Sequence, residues 1–141
     1  MIRLDPFHSF RFSVEIAGLI VGGFSKVKGL VRETKFESFR EGGLNDYEHK
    51  LASQTTYANL VLERGILLPE IWSWHDEVIA GRIERRKITI GLKNELGIEL
   101  WRWHVDAAYP VKWSIADLDA SSSAVAVESI EFVHHGLRLG I

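Results

Sequence analysis

Phe10, Phe12, Val14 and Ile16 share one parity along the chain, while Ser9, Arg11, Ser13 and Glu15 take the other. A period of two is what a strand with one buried face requires, because successive side chains point to opposite sides of a sheet. The pattern returns with Ala58, Leu60 and Leu62, with Ile88, Ile90 and Leu92, and with Trp101, Trp103 and Val105 opposite Arg102, His104 and Asp106. A chain ruled by this period folds into sheets. Ala17-Gly18-Leu19 reads as a tight turn joining the first strand to a second over 20–28, where Gly22-Gly23 marks a bulge or a close backbone approach. A strand is expected over 57–65, and Asn94-Glu95-Leu96-Gly97 turns a second hairpin. Pro110 argues against a central strand over 107–113, and 124–139 reads as strand again.

Two segments depart from alternation. Over 31–41, Arg32, Glu33, Lys35, Glu37, Arg40 and Glu41 put charge on both parities, while Thr34, Phe36 and Phe39 keep β-propensity. Such a strand has no dry face and suits an edge or a projecting arm; the Gly42-Gly43-Leu44-Asn45-Asp46 run after it is a loop. The second departure is helical. Pro69 fits a first turn, Glu70 favours its positive end, and Gly81 is placed as a C-cap. Between them Ile71, Trp74, His75 and Val78 recur at helical spacing, and Trp72 and Ile79 widen the stripe. One amphipathic helix over 69–80 follows.

With 141 residues the chain fits a single domain, spanning 1–141. Six to eight strands and one helix then read as a mainly β fold: a small β-barrel, or a sandwich of two packed antiparallel sheets, carrying the helix. Seventeen basic against nineteen acidic side chains give a net charge of −2, which offers no basic footprint for nucleic acid. The Arg82, Arg85, Arg86, Lys87 run is interrupted by Glu84 and reads as a solvated strand entry. No apolar stretch approaches the roughly 20 residues of a spanning helix, so no membrane insertion is expected. Asp5 and His8 stand where a secretory h-region would be.

Chemistry is sparse. Zero cysteines exclude a thiolate metal site and a cysteine nucleophile. No phosphate-cradling glycine motif is present, and Ser121-Ser122-Ser123 lacks a nucleophile-elbow context. His134-His135 invites a metal, but neighbours on a strand point to opposite faces and cannot chelate one ion. Asp117 and Asp119 fall in a turn, where carboxylates bond nearby amides. The pairs Trp72/Trp74 and Trp101/Trp103 are stacking candidates for bases or sugars, although the second lies on the apolar face of its strand and reads as core. Neither a catalytic constellation, a metal site nor a cofactor is expected.

Two blocks carry a resemblance. Arg40-Glu41-Gly42-Gly43-Leu44-Asn45-Asp46-Tyr47, Lys50-Leu51 and then Thr56-Tyr57-Ala58-Asn59-Leu60-Val61-Leu62-Glu63-Arg64-Gly65 form the first. Pro110-Val111-Lys112-Trp113, Asp117-Leu118-Asp119-Ala120, Ser123 through Glu131 and His134-His135-Gly136-Leu137 form the second. In order and spacing they resemble the tail tube proteins of contractile phage tails and related injection systems, the phage T4-type family. Ser53-Gln54 departs from it, standing where a glycine and a basic residue are expected.

The resemblance implies a barrel-like subunit that forms hexameric rings stacked into a hollow tube, with no enzymatic activity. A sheath surrounds such a tube and drives it into a target cell. The implied partners are further copies of the chain, the sheath protein, baseplate, spike and tape-measure proteins, and luminal DNA or toxin cargo. The implied place is the tail tube of a phage or phage-like particle made in a bacterial or archaeal cytoplasm, with release outside the cell left open. The ring-to-ring arm maps to 40–57, with Arg40, Glu41, Asn45, Asp46, Tyr47 and Lys50 as contacts and Gly42 and Gly43 as backbone pivots. Glu70, Asp76 and Glu77 on the helix are candidates for the sheath. Pro110, Lys112, Trp113, Asp117, Asp119, Ser123, Glu128 and His134 carry the family signature structurally. A baseplate-proximal tube initiator or a type VI-like secreted ring is the alternative within this architecture, and a small β-barrel ligand-binding module is the alternative outside it.

Overall fold

The computed structural model describes residues 10–39, 49–115 and 125–140. Its elements run β1 (Phe12–Ile16), β2 (Leu19–Lys28), β3 (Arg32–Phe39), β4 (His49–Tyr57), β5 (Leu60–Leu67), α1 (Pro69–Ile79), β6 (Arg86–Lys93), β7 (Glu99–Ile115), β8 (Val125–Val133) and β9 (Gly136–Gly140). Strands pair in the order β6-β1-β2-β5-β8-β7, and β6 also pairs with β7. The ring of pairings is therefore closed, and every pair in it is antiparallel. Closure makes the fold a six-stranded barrel and decides against the sandwich, and it removes the free edges that a two-sheet stack would leave. β9 pairs with β7 outside the six, and β3 with β4 forms a separate two-stranded ribbon.

The alternating apolar residues fill the barrel. Val14 from β1, Phe24 from β2, Leu60 and Leu62 from β5, Ile88 and Ile90 from β6, Val105 and Ala108 from β7, and Ile130 and Phe132 from β8 are all essentially inaccessible. The parity of several strands inverts midway, and each inversion has a local cause. Val21 is the extra residue where Val14 pairs with Gly22 but Glu15 with Ile20, which is the bulge expected at the glycine pair. Gly22 must stay small there, since a Cβ would meet Leu67 Cδ2 at 2.7 Å and Ile66 O at 2.9 Å. Arg64 (φ 54°) lets β5 bury Leu62 and then Gly65, and Ala107 (φ 53°) lets β7 bury Val105 and then Ala108. Glu128 is the extra β8 residue opposite the step from Ser114 to Ile115.

α1 seats Ile71 and Trp74 in the core. The Trp74 ring centroid lies 5.9 Å from that of Phe132, its Nε1 donates to Glu84 O at 2.8 Å, and the Arg86 guanidinium sits 4.9 Å over the ring. The helix ends as expected: Ala80 N–H reaches Asp76 O, and Gly81 (φ 89°) donates to Val78 O. Ile79 is the exception to the expected stripe. It is 71% exposed, because the position one residue past Val78 has already rotated off the barrel side.

The structure adds a strand to the arm and corrects two further expectations. Residues 49–57 form a full strand, paired with β3, where only an arm or loop was read, because Lys50, Ser53 and Gln54 hide the alternation. β7 runs through Pro110. From Tyr109 onward its barrel partner is β8 alone, and the register slips between Pro110 and Lys112, so a residue without an N–H is accommodated at a bulge. The last strand is broken at His134-His135 into β8 and β9.

Candidate functional site

Among the described residues no three acidic or histidine side chains converge as a metal site would require. The chemistry-bearing side chains lie instead on surfaces, of which four stand out.

The first is the root of the ribbon. Gly29 (φ 87°) turns β2 toward β3 in a conformation that favours glycine, and Val31 N–H closes the turn on Gly29 O at 2.7 Å. Ala58 N–H donates to Val31 O at 3.3 Å, and Arg32 Nη1 donates to Leu137 O at 3.1 Å. His134, 8% exposed, completes the anchor: Nε2 lies 2.9 Å from Ala58 O and Nδ1 3.1 Å from Gly136 O. Both neighbours are carbonyl acceptors, so the neutral ring donates to one of them and the imidazolium to both. The Tyr57 ring stands 5.5 Å from the His134 ring. His135 turns elsewhere, toward Arg85 Nη1 at 3.3 Å, so the adjacent histidines serve separate places, although they sit in the break between β8 and β9 and not on a strand.

Beyond the root, the ribbon has no core. Residues 32–38 and 50–55 are all exposed, held by the β3–β4 ladder, the Thr34–Thr55 hydroxyl bond (2.9 Å) and Ser53 Oγ donating to Lys35 O (3.1 Å). The β4 strand carries an extra residue between Ala52 and Thr55, at the Ser53-Gln54 departure from the family pattern. A lone two-stranded ribbon is marginal in water, and Phe36 (58% exposed) and Leu51 (55%) have no cover. Of the arm residues read from sequence, Lys50 lies on β4, with its ammonium 5.3 Å from the Phe36 ring centroid. Arg40, Glu41, Gly42, Gly43, Asn45, Asp46 and Tyr47 lie outside the described residues.

The second surface is the polar side of α1. Glu70, Asp76 and Glu77 are all exposed there, with no basic residue in the helix's last turn. Glu77 pairs with Arg82, whose hydrogen bond holds the Glu77 carboxyl below the usual carboxylate range. The groove beside these residues is lined by Ser73, Trp74, Ile83 and Arg86.

The third is an apolar tip that sequence reading missed. Leu96, Ile98, Leu100, Trp101 and Leu139 are all more than half exposed, and Trp101 stacks on Trp103 at 6.5 Å. Trp101 is therefore surface, not core, because it lies where the β6–β7 hairpin has run past the barrel's filled interior. A signal was present: Leu100 and Trp101 are apolar on adjacent positions, which a one-sided strand does not need.

The fourth is the ion-paired outside of β1, β6, β7 and β9. Arg102 bridges Glu99 at 3.0 Å and Glu15 at 3.6 Å, and Arg138 pairs with Asp106 at 3.1 Å. Within this field His104 accepts from or donates to Thr89 Oγ1 at 3.0 Å. Burial first, then the cations Lys87, Arg138 and Arg102, push the imidazole below its ordinary range against the opposing pull of Asp106.

Of the remaining signature residues, Pro110 is buried at its bulge, and Lys112 lies opposite Glu131. Trp113 meets the Trp72 ring edge-on at 4.5 Å. Glu128 is the bulged residue of β8, and His134 pins the ribbon. Asp117, Asp119 and Ser123 lie outside the described residues. The structure thus places Lys50 on the ribbon and His134 at the ribbon's root, between β8 and β9, while Glu70, Asp76 and Glu77 form a separate surface.

The family model described as "T4-like virus tail tube protein gp19" matches residues 8–138. No match is found among curated protein sequences. Among solved structures, the chain is 26% identical to a chain of an extracellular contractile injection system (the PVC sheath–tube complex in its extended state), with a TM-score of 0.70 over 94% of this chain and 89% of that one. A chain of the anti-feeding prophage baseplate is 29% identical, with a TM-score of 0.67 over 97% of each. Hcp1 from Flavobacterium johnsoniae shares the fold, with a TM-score of 0.52 at 15% identity over 93% of this chain and 95% of that one.

Proposed function

The chain belongs to the T4-like virus tail tube protein family and is a structural subunit of a contractile-system tube, and from that premise we propose how it builds one. Copies close into hexameric rings, the rings stack through the β3–β4 ribbon and the 40–48 segment that joins its two strands in sequence, and the hollow stack is the conduit. The observation that carries this reading is the ribbon itself: an exposed two-stranded arm without a core, rigidly pinned to a closed barrel. A barrel that has used up its own edges can afford such an extension only if a neighbour covers it.

The single domain spans the chain, with the arm as its projection. The apolar tip at Trp101 and Leu139 is covered within the ring, where a heterologous interface between copies closes the circle. The sheath meets the acidic side of α1 through Glu70, Asp76 and Glu77, a peripheral contact suited to electrostatic recognition. Baseplate and spike proteins start the tube, a tape-measure protein sets its length, and DNA or a toxin fills it. The chain works as a part of the particle and not as an enzyme; the support is a fold spent on barrel, arm and surface ion pairs. A baseplate-proximal initiator ring is the second reading, favoured by the likeness to a baseplate chain.

Negative-stain electron microscopy of the purified protein, with its mass by light scattering, tests the assignment. Sixfold rings or hollow tubes are the expected result. Single rings that never stack, even on a baseplate template, would favour the initiator reading. A strict monomer that never enters a particle would refute both.

A further inference from the structure

Which of the ribbon's two faces grips the next ring is written in its register. Arg32 pairs with Tyr57, Thr34 with Thr55, Phe36 with Ala52 and Ser38 with Lys50, and directly opposed residues share a face. One face therefore carries two cations, Arg32 and Lys50, and two aromatic rings, Phe36 and Tyr57, with no carboxylate among its described residues. The other carries Glu33, Lys35 and Glu37 in alternating sign, with Leu51.

We propose that stacking uses the Arg32, Phe36 and Lys50 face, with Phe36 as the apolar anchor and a carboxylate-bearing surface of a second copy of this chain as its partner. The proposal rests on the reading of the ribbon as the ring-to-ring arm and adds which side of it binds and what it binds. Charge argues for a second copy. The described residues of the face hold two of the chain's 17 basic side chains and none of its 19 acidic ones, so the rest of each copy is more acidic than the net −2 of the whole. Geometry argues for this face over the other. Lys50 lies 5.3 Å from the Phe36 ring, which orders the cation beside the anchor before any partner arrives, and aromatic anchors flanked by charge are where interface energy concentrates. Arg32 and Tyr57, at the root of the same face, are the residues tied to the barrel through Leu137 O and the His134 ring. That face is thus presented at a fixed angle, and preorganisation lowers the cost of docking. On the opposite face Lys35 stands between two glutamates and all three are solvated.

The test compares two double variants of the full chain, Phe36→Ser with Lys50→Glu and Leu51→Ser with Glu37→Lys. Fold is followed by circular dichroism, ring formation by mass, and stacking by tube length in negative stain, on the particle's own baseplate if the chain needs a template. The first variant should keep fold and rings and shorten tubes at least about tenfold; the second should stack normally. If the second alone blocks stacking, or both do so equally, the choice of face is overturned while the arm reading stands. If neither affects tubes, the arm reading falls with it. Should the first variant fail to form rings, Lys50→Glu alone, an exposed charge reversal outside the barrel, carries the same comparison.

Discussion

Gly18 and Gly29 have nearly the same φ, 81° and 87°, but opposite surroundings, and the pair isolates what the ribbon's root contributes. A Cβ at Gly18 would meet nothing within 4 Å, whereas at Gly29 it would collide with the carbonyl of Asn59, beside Leu60 at the start of β5. Gly18→Ala therefore bears only the left-handed strain of an L residue, about 1 kcal/mol. Gly29→Ala bears the same strain plus displacement of a backbone carbonyl that no rotamer change can relieve, a further ~1–3 kcal/mol by analogy with overpacked cores. The total of about 2–4 kcal/mol should lower the urea midpoint by about 1 M or more, given slopes of about 1–3 kcal/mol/M for domains of this size. Tryptophan emission in urea is the assay, since Trp72, Trp74, Trp103 and Trp113 sit in or against the barrel. Both variants must be compared at one protomer concentration, because assembly stabilises the folded chain by mass action. Equal losses at the two sites would refute the argument that the tight approach at Asn59, and not the turn conformation alone, holds the root of the arm.

Three other outcomes follow from the same structure. His104→Asn should flatten part of the pH dependence of stability. With its folded pKa held below the ordinary 6.5, His104 takes up a proton first in the unfolded chain, so its contribution is intact above about pH 6.5 and declines as pH falls toward the folded value; an unchanged difference between pH 7 and pH 5 melts would contradict this. His134→Ala should speed amide exchange in β3 and β4 while leaving β1 and β6 protected, with a cost of about 1–3 kcal/mol from the two carbonyls it abandons; unchanged exchange in the ribbon would show that the histidine does not pin it. Trp101→Phe should leave the barrel's stability within about 1 kcal/mol of the parent and remove the blue shift in emission expected on ring formation, and a shift that persists would place Trp101 outside the interface.

Alternation along the chain determined that this protein is built of antiparallel strands with one helix, and it determined most of the core: Val14, Leu60, Leu62, Ile88, Ile90 and Val105 can be read inward from parity alone, as can Ile71 and Trp74 from helical spacing. These are local signals, set by where Cβ points on a strand or helix, and they survive without knowledge of the partners. The ordered blocks from Arg40 to Leu137 carried the family as well. The closure of the barrel was decided by tertiary structure, because β6 meets both β1 and β7 only after the sheet has coiled, and no residue on β6 announces two partners. Tertiary structure likewise let β7 pass through Pro110, by giving that stretch a bulge and a single neighbouring strand. It put Trp101 on the surface, although its parity matches Val105, because the strand outruns the core it serves. His134 shows the same division: its place at the end of β8 is a matter of sequence, but its role depends on Ala58 O, 76 residues away, brought within hydrogen-bond reach by the β5–β8 pairing. Strand period is a property of the chain, whereas closure, register and burial at strand ends are set by which strands meet.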